Sequence, residues 1–282
     1  MQNSELPHFL IDDKKLSHYT LSILLSNNKV AFSIFDAADN QYIFFKQKFL
    51  PETESLTQKL TWLADSDSLL QKKYRNINIV LKTGANALVP AELFTMETAM
   101  SIAKLNFGEQ TGKTLKANYL KSSINAVNLF QEDEELSSVI AERFLNVKIC
   151  HITTPLICSA LSKSKDKTES ELYIELAHQS AWTVLLKEQK LLSCNKFEFT
   201  SEEELKNSLF NLCKELQLDR KKTPLILSGS IDNDSDNAHL LNEFFDKIHY
   251  ADLPNAFSYT PHLKVLLTNE YSTFLSLPLC EL

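Results

Sequence analysis

Glycine is scarce in this chain, with only four in 282 residues: Gly84, Gly108, Gly112 and Gly229. An average protein carries roughly 7%. Glycine lets a backbone turn through positive φ and come close to a phosphate, so this sequence has little material for a phosphate cradle. Basic runs are short too: the longest is Arg220-Lys221-Lys222, in a chain of net charge −7. Nucleic-acid affinity rests on many Lys and Arg contacts to phosphates, which argues against a nucleic-acid partner. No apolar run approaches the ~20 residues that span a bilayer. The first sixteen residues are polar and acidic with no apolar stretch of the kind a signal peptide needs. The five cysteines (Cys150, Cys158, Cys194, Cys213, Cys280) are scattered and form no C-x-x-C. That pattern fits a reduced, cytoplasmic protein with most thiols buried as small apolar groups. The seven histidines show no metal-ligand spacing, so no metal is expected. Ser228-Gly229-Ser230 is not the G-x-S-x-G of a serine hydrolase, and no residue is assigned a catalytic role.

What is present is an ordinary globular composition, 44% apolar and 23% charged, long enough for one large domain or two smaller ones. One pattern of elements occurs twice. The first copy predicts strands at residues 19–25, 30–36 and 41–49, with Asn27-Asn28 turning the first hairpin. A helix follows over residues 53–70, marked by Leu56, Leu60 and Leu63. The second copy predicts strands at 172–177, 182–187 and 191–199. Its helix covers 202–217, opened by Ser201-Glu202-Glu203-Glu204 as a capping box. Buried strands are expected at 77–81, 124–130, 147–152 and 225–228, and helices at 91–105 (started by Pro90), 134–144, after Pro155, and 236–245. The polar stretch from Ser162 to Lys167 reads as a linker. The expectation is an α/β chain of two duplicated subdomains, each a mixed sheet flanked by helices, divided as 1–165 and 166–282.

Residues 21–45, Leu88-Val89-Pro90-Ala91-Glu92-Leu93-Phe94, residues 125–130 and the ending Leu279-Cys280-Glu281 carry a resemblance that touches most of the chain. The sequence resembles an uncharacterised bacterial family with an actin-like ATPase (ribonuclease H-like) fold and no assigned activity. In that superfamily the first hairpin carries Asp-x-Gly, and the matching positions here are Ser22 and Leu24. The second hairpin carries Asp-x-Gly-Gly-Gly-Thr. Here Glu175 stands for the aspartate, Ala177-His178-Gln179 for the glycines and Ser180 for the threonine. The adenosine-binding Gly-Gly turn is matched by Ser228-Gly229-Ser230. If a nucleotide binds, the resemblance implies Glu175, His178, Ser180 and Gly229 as its contacts. Nucleotide phosphates need backbone amides turned toward them, and Mg²⁺ needs a carboxylate or a water held by one. Leu24, His178 and Gln179 offer neither, so no cofactor is expected.

Three other motifs dissolve on inspection. The stretch from Gly108 to Thr114 has one residue too few between its glycines for a phosphate loop, and a helix precedes it where a strand is required. It reads as a helix C-cap and a surface turn. Asp232-Asn233-Asp234-Ser235-Asp236 lacks the glycine and glutamate of a calcium loop and reads as a turn with a helix N-cap. His151 alternates with apolar neighbours and reads as a core histidine. The adjacent pair Phe44-Phe45 places one ring outward, toward a partner groove. The function that follows is a non-catalytic protein-binding or scaffold protein on a degenerate fold, taking a protein segment in its interdomain cleft or at a sheet edge. The alternatives are an atypical nucleotide-binding protein or a small-molecule kinase or ATPase. The acidic charge, with Glu132-Asp133-Glu134-Glu135 as its densest segment, suits a basic partner.

Overall fold

The computed structural model describes residues 11–108, 111–120, 124–164, 169–231, 236–266 and 268–280. Its strands are β1 (Tyr19–Ser26), β2 (Lys29–Asp36), β3 (Gln41–Phe49), β4 (Asn76–Lys82), β5 (Asn86–Pro90), β6 (Lys113–Leu120), β7 (Ala126–Asp133), β8 (Val147–His151), β9 (Ser170–Leu176), β10 (Ser180–Lys187), β11 (Lys190–Glu198), β12 (Leu225–Gly229), β13 (Ile248–Tyr250) and β14 (Ser258–Tyr259). The helices are α1 (Leu56–Ser66), α2 (Met96–Phe107), α3 (Glu134–Arg143), α4 (Thr153–Lys163), α5 (Glu202–Glu215), α6 (Asp236–Phe244) and α7 (Pro261–Leu266). The residue 165/166 division and most of the expected linker lie outside the described residues, as does most of the stretch from Asp232 to Asp236.

The chain packs as two compact units. The first gathers Met1–Thr83, Asp133–Cys150 and Asn255–Leu266; the second gathers Gly84–Glu132, His151–Pro254 and Leu267–Leu282. The first unit holds a six-stranded sheet in the order β14-β3-β2-β1-β4-β8. β1, β2 and β3 are antiparallel neighbours, and β4 runs parallel to β1. The second unit holds the order β11-β10-β9-β12-β13, again two antiparallel pairings followed by parallel strands. Each copy places a helix (α1 or α5) between its third and fourth strands and another (α3 or α6) before its fifth. The duplication is therefore one of topology, mixed sheets flanked by helices. Residues 84–132 are an insertion in the first copy. They fold as α2 and a third sheet, β5-β7-β6, over a small core of Val89, Ala99, Val127 and Leu129.

Local chemistry explains the helix boundaries. Ser55 caps α1: its Oγ accepts from the Gln58 amide at 3.2 Å, and Gln58 Oε1 accepts from the Ser55 amide at 2.8 Å. Such a reciprocal pair satisfies two orphan donors. Thr95 and Thr98 do the same for α2, and this moves the helix start away from Pro90. The proline instead ends edge strand β5. There its backbone points away from β7, so the missing N–H costs no ladder bond. Gly108, at φ 75°, caps α2, and its amide donates to the Lys104 carbonyl at 3.0 Å. Among the described residues a helix precedes the stretch and strand β6 starts at Lys113 within it, the reverse of the strand-then-helix order a phosphate loop requires. The expected capping box at Ser201 is half made. Its Oγ accepts from the Glu204 amide at 3.3 Å, but the Glu204 carboxylate accepts from the amide and hydroxyl of Thr200 at 2.7 and 2.8 Å. Those bonds hold its pKa below the usual glutamate range.

Two other expectations are corrected. Phe44 and Phe45 are both buried, as are Tyr42 and Ile43, because β3 is covered on both faces at that point. Glu132 is not a surface charge. It is 2% exposed and pairs with Lys116 at 3.1 Å, which leaves Glu134 and Glu135 as the exposed members of the acidic segment.

Scarcity of glycine is visible in the turns. The two-residue β10–β11 turn puts Glu188 at φ 50° and Gln189 at φ 59°, a conformation usually given to Asn-Gly. Replacing Glu188-Gln189 with Asn-Gly is expected to stabilise the protein by about 1 kcal/mol, read as a raised urea midpoint at unchanged slope.

Candidate functional site

The positions matched to the superfamily's phosphate turn lie at the β9–β10 hairpin and the end of β12. Glu175 and Ser228 are register partners on adjacent parallel strands. The Glu175 carboxyl is buried at 1% exposure. Its Oε2 accepts from the Ser228 hydroxyl at 2.5 Å and from the Thr273 hydroxyl at 2.7 Å. A carboxylate oxygen that accepts from two buried hydroxyls is satisfied within the interior. His178 and Gln179 are exposed at the hairpin tip, and Ser180 opens β10, its carbonyl accepting from the Ala177 amide at 2.8 Å. Gly229 has φ 90°, and a Cβ there would meet the Leu176 carbonyl oxygen at 2.1 Å. Its glycine is explained by how closely the end of β12 approaches the backbone of Leu176 on β9. The Ser230 amide, next in sequence, donates to that same Leu176 oxygen at 2.8 Å. Of the four residues singled out from sequence, the fold thus brings Glu175 and Gly229 onto adjoining strands and leaves His178 and Ser180 on the turn. In the other sheet, Ser22 and Leu24 are buried along β1. Among the described residues no group of three or more His, Cys, Asp or Glu side chains could hold a metal ion.

A second feature of the same unit went unseen in the sequence. The edge strand β5 of the small sheet and the edge strand β11 of the large sheet flank an open groove of about 850 Å³. Its walls include Leu88, Ile102, Phe107, Leu191, Leu192 and Lys190. Leu192 is the extra residue of a β-bulge. Ser193 pairs with Leu185 and Leu191 with Leu186, so nothing stands opposite Leu192, which remains 54% exposed. A bulge re-aims a side chain and breaks the pairing of an edge. The signal in the sequence was the adjacent apolar pair Leu191-Leu192, which interrupts strand alternation.

The groove's walls are held by a buried polar chain centred on Asn128, which is fully buried. Asn128 Nδ2 donates to the hydroxyls of Thr153 (2.8 Å) and Thr154 (3.0 Å), and its Oδ1 accepts from Asn86 Nδ2 at 2.8 Å. Thr154 donates to Asn118 Oδ1 at 3.0 Å. His151 Nδ1 accepts from the Thr153 amide at 3.3 Å and lies 2.8 Å from its hydroxyl. That places the ring proton on Nε2, which faces the Gly84 carbonyl at 3.4 Å. Trp182 Nε1 donates to the same carbonyl at 3.3 Å. His151 is the core histidine its apolar neighbours predicted. Where β5 meets β11, Asn86 Nδ2 reaches Cys194 Sγ at 3.6 Å. Burial pushes the Cys194 thiol up to about 11, against the pull of that hydrogen bond. It is therefore protonated at neutral pH and a poor nucleophile.

The repeated sheet order defines a chain of actin-like ATPase fold, and comparison with known proteins agrees. A structure from Bacteroides thetaiotaomicron, described as having an actin-like ATPase fold and unknown function, superposes with a TM-score of 0.79 at 22% identity, covering 94% of this chain and 98% of that one. The PilM-PilN type IV pilus biogenesis complex matches with a TM-score of 0.66 at 12% identity, covering 93% and 99%. At such identities the likeness concerns the fold. A family model, described as protein of unknown function (DUF3822), matches residues 10–248, and the chain belongs to that family. No curated protein matches significantly.

Gly229→Ala is expected to cost at least about 2 kcal/mol, from a strained φ and a backbone clash. Lys113→Ala, on the false phosphate loop, should change stability by less than about 0.5 kcal/mol. Asn128→Ala strands several buried donors and acceptors and should cost about 2–4 kcal/mol. Chemical denaturation of the three variants checks all three values.

Proposed function

We propose that this protein is a non-catalytic protein-binding or scaffold protein built on a degenerate actin-like ATPase fold, working in the cytoplasm, with the duplicated halves dividing at residues 165/166. The observation that carries the reading is the sealed carboxyl at the phosphate turn. Glu175 spends its Oε2 on Ser228 and Thr273, and side-chain-bearing residues, Ala177-His178-Gln179, stand where a nucleotide-binding relative needs glycines. The fold itself is compatible with a protein partner, since PilM is solved as a complex with PilN; at 12% identity nothing about that partner carries over. All five cysteines are free thiols, in keeping with a reducing compartment.

The test is a thermal melt with and without millimolar MgATP. A ligand at a hundred times its dissociation constant adds about 2.7 kcal/mol to a native state that binds it. In a chain of this size that is a rise of roughly 5 °C or more. No rise and no phosphate release are expected. A Mg²⁺-dependent rise lost in Glu175→Gln and Gly229→Ala would replace this reading with nucleotide binding through Glu175, His178, Ser180 and Gly229.

A further inference from the structure

We propose that the groove between β5 and β11 takes an extended segment of a partner protein, which adds to β11 as a further strand and carries apolar side chains with at least one carboxylate. The inference rests on the protein-binding reading above and gives it a place and a ligand chemistry.

The backbone pattern supplies the pairing edge. The Phe199 amide donates to the Gln179 carbonyl at 3.1 Å, and the register runs unbroken from there to Leu185 and Ser193. Antiparallel pairs alternate between bonded and non-bonded, so Phe197, Asn195 and Ser193 turn their amides toward β10. Cys194 and Lys196 then turn their N–H and C=O groups away from the sheet. On β5 the Ala91 amide donates to the Asn125 carbonyl at 2.9 Å, and the same alternation turns the polar backbone of Asn86 and Leu88 away from β7. Among the described residues no further strand is hydrogen-bonded to either edge, and the two edges touch where Asn86 reaches Cys194. Unpaired edges of this kind are where an extended peptide adds main-chain hydrogen bonds and places alternate side chains in pockets.

Shape and charge narrow the occupant. The edge of β11 is recessed, with β5 and the end of α2 forming the opposite wall. A second copy cannot bring its own recessed β11 against it, whereas a single extended chain can enter. Within a lining that is otherwise largely polar, Leu88, Ile102, Phe107 and Leu191 and the bulged Leu192 call for apolar side chains. Among the described residues Lys190 and Lys196 are the charged residues lining the groove, with no Asp or Glu, although the whole chain carries 36 acidic against 29 basic residues. Lys196 already pairs with Glu198 at 2.5 Å. Lys190 makes no ion pair among the described residues, and it is the cation left for a partner carboxylate. The groove thus selects an acidic segment, opposite to the basic partner that net charge suggests.

The test uses the full chain, immobilised, to select from a display library of random linear dodecapeptides. One recovered peptide is then synthesised with a fluorophore and titrated by anisotropy. Recovered peptides should share alternating apolar residues and an acidic position. Lys196→Pro, which removes an outward N–H and no ladder bond, should weaken binding at least tenfold, whereas Lys196→Ala should change it less than threefold. Leu192→Asp, at an exposed position that leaves folding intact, should also cost at least tenfold, and Lys190→Glu should cost several-fold and flatten the salt dependence. Failure of selection to converge, or unchanged affinity in both Lys196→Pro and Leu192→Asp, overturns the proposal. So does a concentration-dependent dimer of the chain that Lys196→Pro dissociates. A native partner that binds every variant like wild type would reject the groove and leave the protein-binding reading standing. A Mg²⁺-dependent nucleotide response of the wild type would reject that reading itself.

Discussion

The amide of Asn128 is the constraint on which the second unit's surface depends. Its three hydrogen bonds reach β5 through Asn86 and the start of α4 through Thr153 and Thr154. From Thr153 the chain of donors runs to His151, and from His151 to the Gly84 carbonyl that also receives Trp182 of β10. One fully buried side chain thereby ties the inserted sheet to a helix and to the large sheet. Buried polar networks favour one arrangement where apolar packing alone would permit several, although here the Oδ1 of Asn86 is buried without a partner. The separation of the β5 and β11 edges follows from that arrangement.

The two candidate places in the unit show opposite uses of the same economy. At the hairpin matched to the phosphate turn, residues with side chains stand at the glycine positions, and the one retained glycine serves the close approach of β12 to Leu176 of β9. Along β11, in contrast, the structure leaves space and unpaired backbone. Elsewhere the chain accepts positive φ at Asn40, Asn125, Asn146, Glu188, Gln189 and Gln217, at a cost of order 1 kcal/mol where the residue is not Asn. Glu188 and Gln189 sit at the end of the groove, where a tight reversal keeps β10 and β11 aligned.

Much of the fold was legible in the sequence. Hydrophobic alternation located β1–β4 and β9–β12 within a residue or two, because each strand has strong period-two or continuous apolar character and a clear turn beside it. Leu56, Leu60 and Leu63 placed α1 for the equivalent reason. Of the insertion, α2 and β7 were legible with shifted bounds, but the strands β5 and β6 were not. β5 is five residues long and ends in proline, β6 is only half buried along most of its length, and neither gives a periodic signal. Pro90 read as a helix start because local chemistry cannot distinguish that position from the outward-facing end of an edge strand. The substitutions at Glu175 and at 177–179 were legible residue by residue. The groove was not, because it is made by two edges far apart in sequence and by a network of amides and hydroxyls whose partners only the tertiary fold supplies.

One short strand has a consequence for how the protein is made. β14, only Ser258–Tyr259, lies beside β3 and completes the first unit's sheet. There Tyr259 stacks on Tyr42 with centroids 5.5 Å apart, and Phe257 packs edge-on against Phe35 and Tyr42. β3 is therefore finished by a strand synthesised some two hundred residues after it. At about 5–20 residues per second, β3 waits some tens of seconds or less, its edge open, before its neighbour arrives. A nascent chain in that interval leaves Tyr42 and Phe35 without the rings of Tyr259 and Phe257 that later cover them.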